Sequence, residues 1–238
     1  MEAEACPTIV TPDFPYLDEH AVFRFPPAAE AALPGVVAAG GNLSPGMLLS
    51  AYRQGIFPWY GKGEPILWWS PDPRFVLFPD ELHIAHSLQK RLRKGSYRVA
   101  FDTRFEEVIT ACGEAPRPGQ DGTWITPEIV AGYLELHRLG YAHSAESYLG
   151  ERLVGGLYGV TLGSVFFGES MFSWEPDASK VAFVRLVELL RSHDVTLIDC
   201  QVYTPHLEHF GAREIPRSEF LAFLAAGLAR PTRRGCWS

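Results

Sequence analysis

Residues 152–201, RLVGGLYGVTLGSVFFGESMFSWEPDASKVAFVRLVELLRSHDVTLIDCQ, decide the fold. Two long apolar runs, 152–160 and 165–172, read as strands joined by a turn at Gly163. A helical pattern runs from Ala178 to Ser192, and Val195–Gln201 reads as a further strand. A hairpin followed by strand–helix alternation predicts a mixed α/β layer domain.

Outward from that stretch the signals thin. Residues 82–94 read as a helix and Tyr97–Phe101 as a strand. Asp102 is expected to cap a helix that carries Phe105, Val108, Ile109 and Cys112 on one face. Thr126-Pro127-Glu128 opens another helix, which ends at Gly140. Downstream come a short helix ending near Gly211, a short strand at Glu214–Pro216 and a last helix capped by Ser218. Upstream, Ser44 and Pro45 open a helix that stops at Gly55. Residues 55–79, GIFPWYGKGEPILWWSPDPRFVLFP, are too rich in proline and glycine for a helix. The texture changes near Pro73. The chain is therefore expected to divide into a small N-terminal domain, 1–72, and a larger domain, 73–238.

Composition bounds the function. With 238 residues, 47% of them hydrophobic, the chain can bury a sizeable core, which excludes a disordered scaffold. Lys and Arg total 21 against 28 Asp and Glu, a net charge of −7 that argues against bulk binding of long nucleic acid. A local basic patch is still allowed. Cys6, Cys112, Cys200 and Cys236 form no close pair, so neither a zinc ribbon nor a disulfide framework is expected. The first ten residues, MEAEACPTIV, lack the pattern of a signal peptide, and no apolar run suits a membrane span. A reducing cytoplasm, no membrane partner, no cofactor and a monomeric state are the expectations.

Four features carry chemistry. In the strand ending LIDCQ, Asp199 and Gln201 fall on one face, about 7 Å apart at two-residue spacing. An acid and an amide in an apolar strand are costly unless paired or used. In FFGESMF, Phe167, Glu169 and Met171 are expected on one face, with Phe166, Ser170 and Phe172 on the other. A carboxylate between Phe and Met suits an apolar pocket for a ligand with a cationic end. The helix at 82–94 sets His83, His86, Lys90, Arg93 and Lys94 opposite Ala85, Leu88 and Leu92, a stripe able to contact phosphates. Phe57, Trp59, Tyr60, Trp68, Trp69 and Trp124 sit among glycine and proline, where aromatics can line a binding surface. His206 and His209 lack a third metal ligand at suitable spacing and read as structural.

Longer motifs then tie these features together. LPGVVAAGGNLSP, LLSAYRQGIFPWY, PILWWSPDPR, GTWIT, GERLVGGLYGV, FFGESMFS, LIDCQ and FGAREIPR follow in order from about residue 33 to 220. With them the chain resembles the bacterial leucyl/phenylalanyl-tRNA–protein transferases. The resemblance implies transfer of Leu or Phe, and less well Met, from aminoacyl-tRNA to the N-terminal amine of proteins beginning with Arg or Lys. It further implies marking for degradation through the N-end rule, a GNAT-like larger domain, and no cofactor or metal. Asp199 and Gln201 would be the catalytic relay, and Glu169 would hold the acceptor. Trp59, Trp124, Phe166, Phe167 and Met171 would form the aminoacyl and adenosine pocket, and Lys90, Arg93 and Lys94 would contact the tRNA backbone. The chain departs from the family pattern at His86 and Trp174, where Arg is common, and at Asp177, where Asn is common. Those departures keep two alternatives beside the main reading, an altered acceptor preference and a silent tRNA- or peptide-binding module. An acyl-CoA acetyltransferase is a third, for which RLVGG offers no phosphate loop opening a helix.

Overall fold

The computed structural model describes residues 9–10, 14–30, 33–116 and 123–237; Cys6 lies outside them. The first part of the chain holds β1 (Ile9–Val10), β2 (Val36–Gly40), α1 (Pro45–Arg53), β3 (Phe57–Pro58) and β4 (Leu67–Trp69). These strands make a four-stranded sheet in the order β1-β2-β4-β3. The rest follows as β5 (Arg74–Leu77), α2 (His86–Lys94), β6 (Arg98–Phe101), α3 (Phe105–Glu114) and α4 (Pro127–Arg138), then β7 (Ala142–Leu149), β8 (Arg152–Leu162), β9 (Val165–Ser173) and α5 (Ala178–Ser192). Last come β10 (Leu197–Gln201), α6 (Pro205–Glu208), β11 (Arg213–Ile215) and α7 (Arg217–Leu228). Seven strands form the large sheet, ordered β11-β5-β10-β9-β8-β7-β6. Its only parallel pair among these is β9 with β10. A parallel pair needs a crossover, and α5 supplies it.

The mixed α/β architecture is the one expected from residues 152–201. Gly163 turns the β8–β9 hairpin at φ +56°, where a Cβ would lie 2.1 Å from the Gly227 carbonyl oxygen. Helix α5 covers one face of the sheet, meeting Phe75, Leu77, Leu157, Phe166 and Ile198. The other face packs on α1, α3, α4 and α7 in a core that runs on into the small sheet through Tyr52, Phe57 and Trp68. No helix among the described residues is long and apolar enough to cross a membrane.

Several local expectations need correction. The segment 82–94 is not helical throughout. A 3₁₀ turn at Pro79–Glu81 precedes it, the His83 amide donates to the Phe210 carbonyl, and α2 starts only at His86. Asp102 caps no helix. It sits at φ +55° and accepts from the Ser144 amide and the His143 ring, so it ties β6 to β7. Ser218 lies inside α7, whose N-cap is Pro216. Ser44 stands at the N-cap of α1 but spends its hydroxyl on Asn42 and the Leu17 amide. Thr126 does cap α4, accepting from the Ile129 amide. Strand β7, with its sequence AHSAESYL, gave no strand signal because its buried positions carry His143, Ser144, Glu146 and Ser147.

Candidate active site

The site lies where two parallel strands part. Pairing between β9 and β10 runs from Leu197↔Val165 to Asp199↔Phe167 and ends there. β9 continues beside β8 to Ser173. β10 shifts register against β5 between Asp199 and Gln201, and Gln201 takes φ +65°. Between the parted strands opens a cavity of about 660 Å³.

β9 carries its own irregularity. Gly159 pairs with Gly168 and Tyr158 with Ser170, so Glu169 is an extra residue in a bulge. A bulge reverses the alternation of faces beyond it. Phe167 and Phe172 accordingly share one core, while Phe166 and Met171 pack in the other. The expected grouping of Phe167, Glu169 and Met171 on one face therefore fails. Phe166 and Met171 line the cavity. Phe167 does not. It is buried behind the cavity with its ring 4.9 Å from that of Tyr52.

Glu169 faces the cavity and anchors a polar ring drawn from four elements. Tyr52 of α1 donates to one carboxyl oxygen at 2.7 Å, and Tyr133 of α4 donates to the other at 2.9 Å. Gln201 Nε2 donates to the first oxygen at 2.8 Å. The two tyrosine hydroxyls also touch each other. Three oxygen–oxygen contacts thus close a triangle, while two phenols supply only two protons. When Glu169 is protonated it can donate to one tyrosine, which then turns its own proton to the other and completes the triangle. Burial, partly offset by the tyrosine hydrogen bonds, raises the Glu169 carboxyl to about 7. Burial likewise pushes both phenols well above their ordinary range.

Asp199 is held differently. Its carboxylate meets Arg74 in a fork, Nε to Oδ1 at 2.8 Å and Nη2 to Oδ2 at 2.6 Å. Side-chain exposure is 1% for Arg74 and 0% for Asp199. The guanidinium lies between the Phe57 and Phe220 rings, 4.8 and 4.5 Å from their centroids. Oδ1 also accepts the Gln201 amide at 2.9 Å. Asp199 thus reaches Gln201 through the backbone and is absent from the cavity wall, which Gln201 itself lines.

Trp59 and Trp124 line the same cavity. His206, expected to be structural, also reaches the wall, and its Nε2 is buried with no hydrogen-bond partner among the described residues. Burial pushes the Cys200 thiol up, away from a nucleophilic thiolate. Lys90, Arg93 and Lys94 are exposed on α2. The neighbouring Arg91 pairs with Asp177 at 3.3 Å, and Lys180 reaches Asp177 at 2.9 Å. Among the described residues no group of three or more His, Cys, Asp or Glu side chains could hold a metal. Sequence reasoning missed Tyr52, Tyr133 and Arg74. Tyr52 reads as one more apolar position on α1. Arg74 is an isolated cation whose partner lies 125 residues away.

A family model described as leucyl/phenylalanyl-tRNA protein transferase matches residues 76–225, and one for the N-terminal domain of the same proteins matches residues 41–72. The chain belongs to this family. A leucyl/phenylalanyl-tRNA–protein transferase of Anaeromyxobacter sp. strain Fw109-5 is 60% identical over 91% of this chain and 95% of its own length. The one of Myxococcus xanthus is 56% identical over 93% and 94%. The chain is an aminoacyltransferase, with an aminoacyl-tRNA and a protein as its substrates. Among solved structures, a GCN5-related N-acetyltransferase from Kribbella flavida overlaps 72% of this chain and 61% of its own, at 11% identity and a TM-score of 0.35, a likeness too distant to build on.

Proposed function

We propose that the enzyme moves Leu or Phe, and less well Met, from tRNA to the N-terminal amine of proteins beginning with Arg or Lys, marking them for degradation. The observation that carries this reading is the apolar cavity with Glu169 and Gln201 in its wall. Its breadth suits unbranched-at-Cβ side chains of the size of Leu and Phe. The carboxyl suits an acceptor with a cationic end, whose arrival favours the ionised form and releases the Glu169 proton. We read residues 1–72 as the small domain, which lends Tyr52 and Trp59, and residues 73–238 as the larger one. We read a reducing cytoplasm as the setting, in which the thiols of Cys112, Cys200 and Cys236 persist.

The reaction asks little of the protein beyond alignment, because the aminoacyl ester is already activated. The amine nitrogen attacks the ester carbon. The bond from that carbon to the ribose oxygen breaks, and the proton leaving the amine ends on that oxygen. An α-amino group titrates near about 8, so a modest acceptor suffices to orient its lone pair. Gln201, with Nε2 committed to Glu169, presents Oε1 to the amine N–H. Asp199, its two oxygens engaged by Arg74, acts by fixing the Gln201 backbone rather than by taking a proton. Holding both substrates in line supplies the rest of the acceleration. Trp59 and Trp124 face the adenosine and the aminoacyl group. Phe166 and Met171 form a further part of the wall, with Phe167 buried behind it.

The test is transfer of labelled Leu, Phe and Met from charged tRNA to peptides beginning with Arg, Lys, Asp or Glu. Wild type runs beside Gln201→Ala, Asp199→Ala and Glu169→Gln. Transfer of Leu and Phe to Arg and Lys peptides is expected, with kcat/KM lower by roughly 100-fold in Gln201→Ala. Transfer to Asp or Glu peptides instead would overturn the acceptor assignment. Undiminished transfer in Gln201→Ala would remove that residue from the mechanism.

A further inference from the structure

Trp174 is a large apolar side chain left open to solvent at the cavity. It is 46% exposed, yet it forms part of the cavity rim. Its ring leans on Phe172, centroids 5.5 Å apart at 53°. The segment that carries it is clamped on several sides. The Trp174 amide donates to the Val154 carbonyl at 2.8 Å, and Arg152 pairs with Glu175 at 2.5 Å. Tyr97 donates to the Pro176 carbonyl at 2.9 Å, and Arg91 of α2 pairs with Asp177. The loop 174–177 therefore stands between the cavity and the basic helix α2.

That placement sets a path. An RNA whose ester end enters the cavity, and whose backbone meets Lys90, Arg93 and Lys94, has to cross loop 174–177 with the single-stranded nucleotides between. Unstacked bases of single strands rest on aromatic faces, and a platform already held rigid loses little freedom on binding. We propose that Trp174 stacks on a nucleobase of the strand that precedes the esterified terminal adenosine. This rests on the aminoacyl-tRNA reading of the cavity and on the phosphate-contacting role of α2.

Three donors of increasing length separate the possibilities: phenylalanyl-adenosine, a phenylalanyl trinucleotide ending in CCA, and full-length phenylalanyl-tRNA. Each is offered with an Arg-initial peptide to wild type, Trp174→Ala, Trp174→Phe and a Lys90→Gln/Arg93→Gln/Lys94→Gln variant. In Trp174→Ala the kcat/KM ratio of trinucleotide to adenosine donor should fall roughly tenfold, and Trp174→Phe should restore most of it. An equal loss with all three donors would overturn the proposal by assigning Trp174 to the adenosine or aminoacyl pocket. A change confined to the KM of the peptide would overturn it in favour of the acceptor, and an unchanged ratio would remove the stacking contact. The α2 variant reports on the separate backbone reading. Its loss should appear with tRNA and not with the trinucleotide, and if no donor is affected the backbone reading fails while the Trp174 ratio still decides the stacking.

Discussion

Replacing Glu169 with Gln should change how stability depends on pH more than it changes the fold. In the folded protein the carboxyl titrates at about 7, against an ordinary value of 4.5. The folded state therefore keeps the proton to higher pH than the unfolded chain does. The stabilisation this brings is complete below about 4.5, declines between 4.5 and 7, and is gone above 7. The gap between the two values corresponds to about 3 kcal/mol. Glutamine cannot titrate, and its amide N–H supplies the third donor that the Tyr52–Tyr133 triangle lacks when the carboxyl is ionised. Urea unfolding of wild type and Glu169→Gln at pH 5, 6, 7 and 8 gives the difference directly. Wild type should lose about 2.5 kcal/mol relative to the variant between pH 5 and 8, a fall of roughly 5–10 °C in relative Tm for a chain of this size. Parallel curves across that range would refute the reasoning, since the carboxyl would then titrate alike in both states.

The Arg74–Asp199 pair yields a second expectation. Asp199→Asn keeps the shape but leaves a buried guanidinium without its counter-charge, at a cost of about 3–5 kcal/mol in urea unfolding. Arg74→Met combined with Asp199→Leu should recover most of that stability without recovering kcat, because the Gln201 amide has lost its acceptor. Gly159→Ala tests the bulge. A Cβ there would lie 2.2 Å from the Phe167 carbonyl oxygen and 2.4 Å from Phe166 Cζ, so the β8–β9 ladder must shift, for about 3 kcal/mol measured by calorimetry.

The sequence was legible where local pattern and tertiary fold agree. Helix α5, β9 up to Gly168 and β10 up to Cys200 follow their periodicities, because an apolar run there means a buried face. Reading by alternation failed beyond Glu169, because one inserted residue reverses every face that follows and leaves no mark in the composition. Asp199 and Gln201 stood out as polar residues in an apolar strand. That the acid bonds a backbone amide and an arginine 125 residues upstream was not visible, since no local rule couples such distant positions. Strand β7 was missed for a similar reason, its buried serines and glutamate being satisfied by neighbours only the folded sheet provides.

The ring around Glu169 has a consequence for synthesis. Tyr52 and Glu169 are 117 residues apart, and Glu169 and Gln201 a further 32. A ribosome delivers Tyr52 early and Gln201 only when most of the chain is made. Until β10 has emerged and docked beside β9, the carboxyl lacks its amide donor and the cavity lacks a wall. A half-made enzyme therefore holds no assembled site with which to divert charged tRNA.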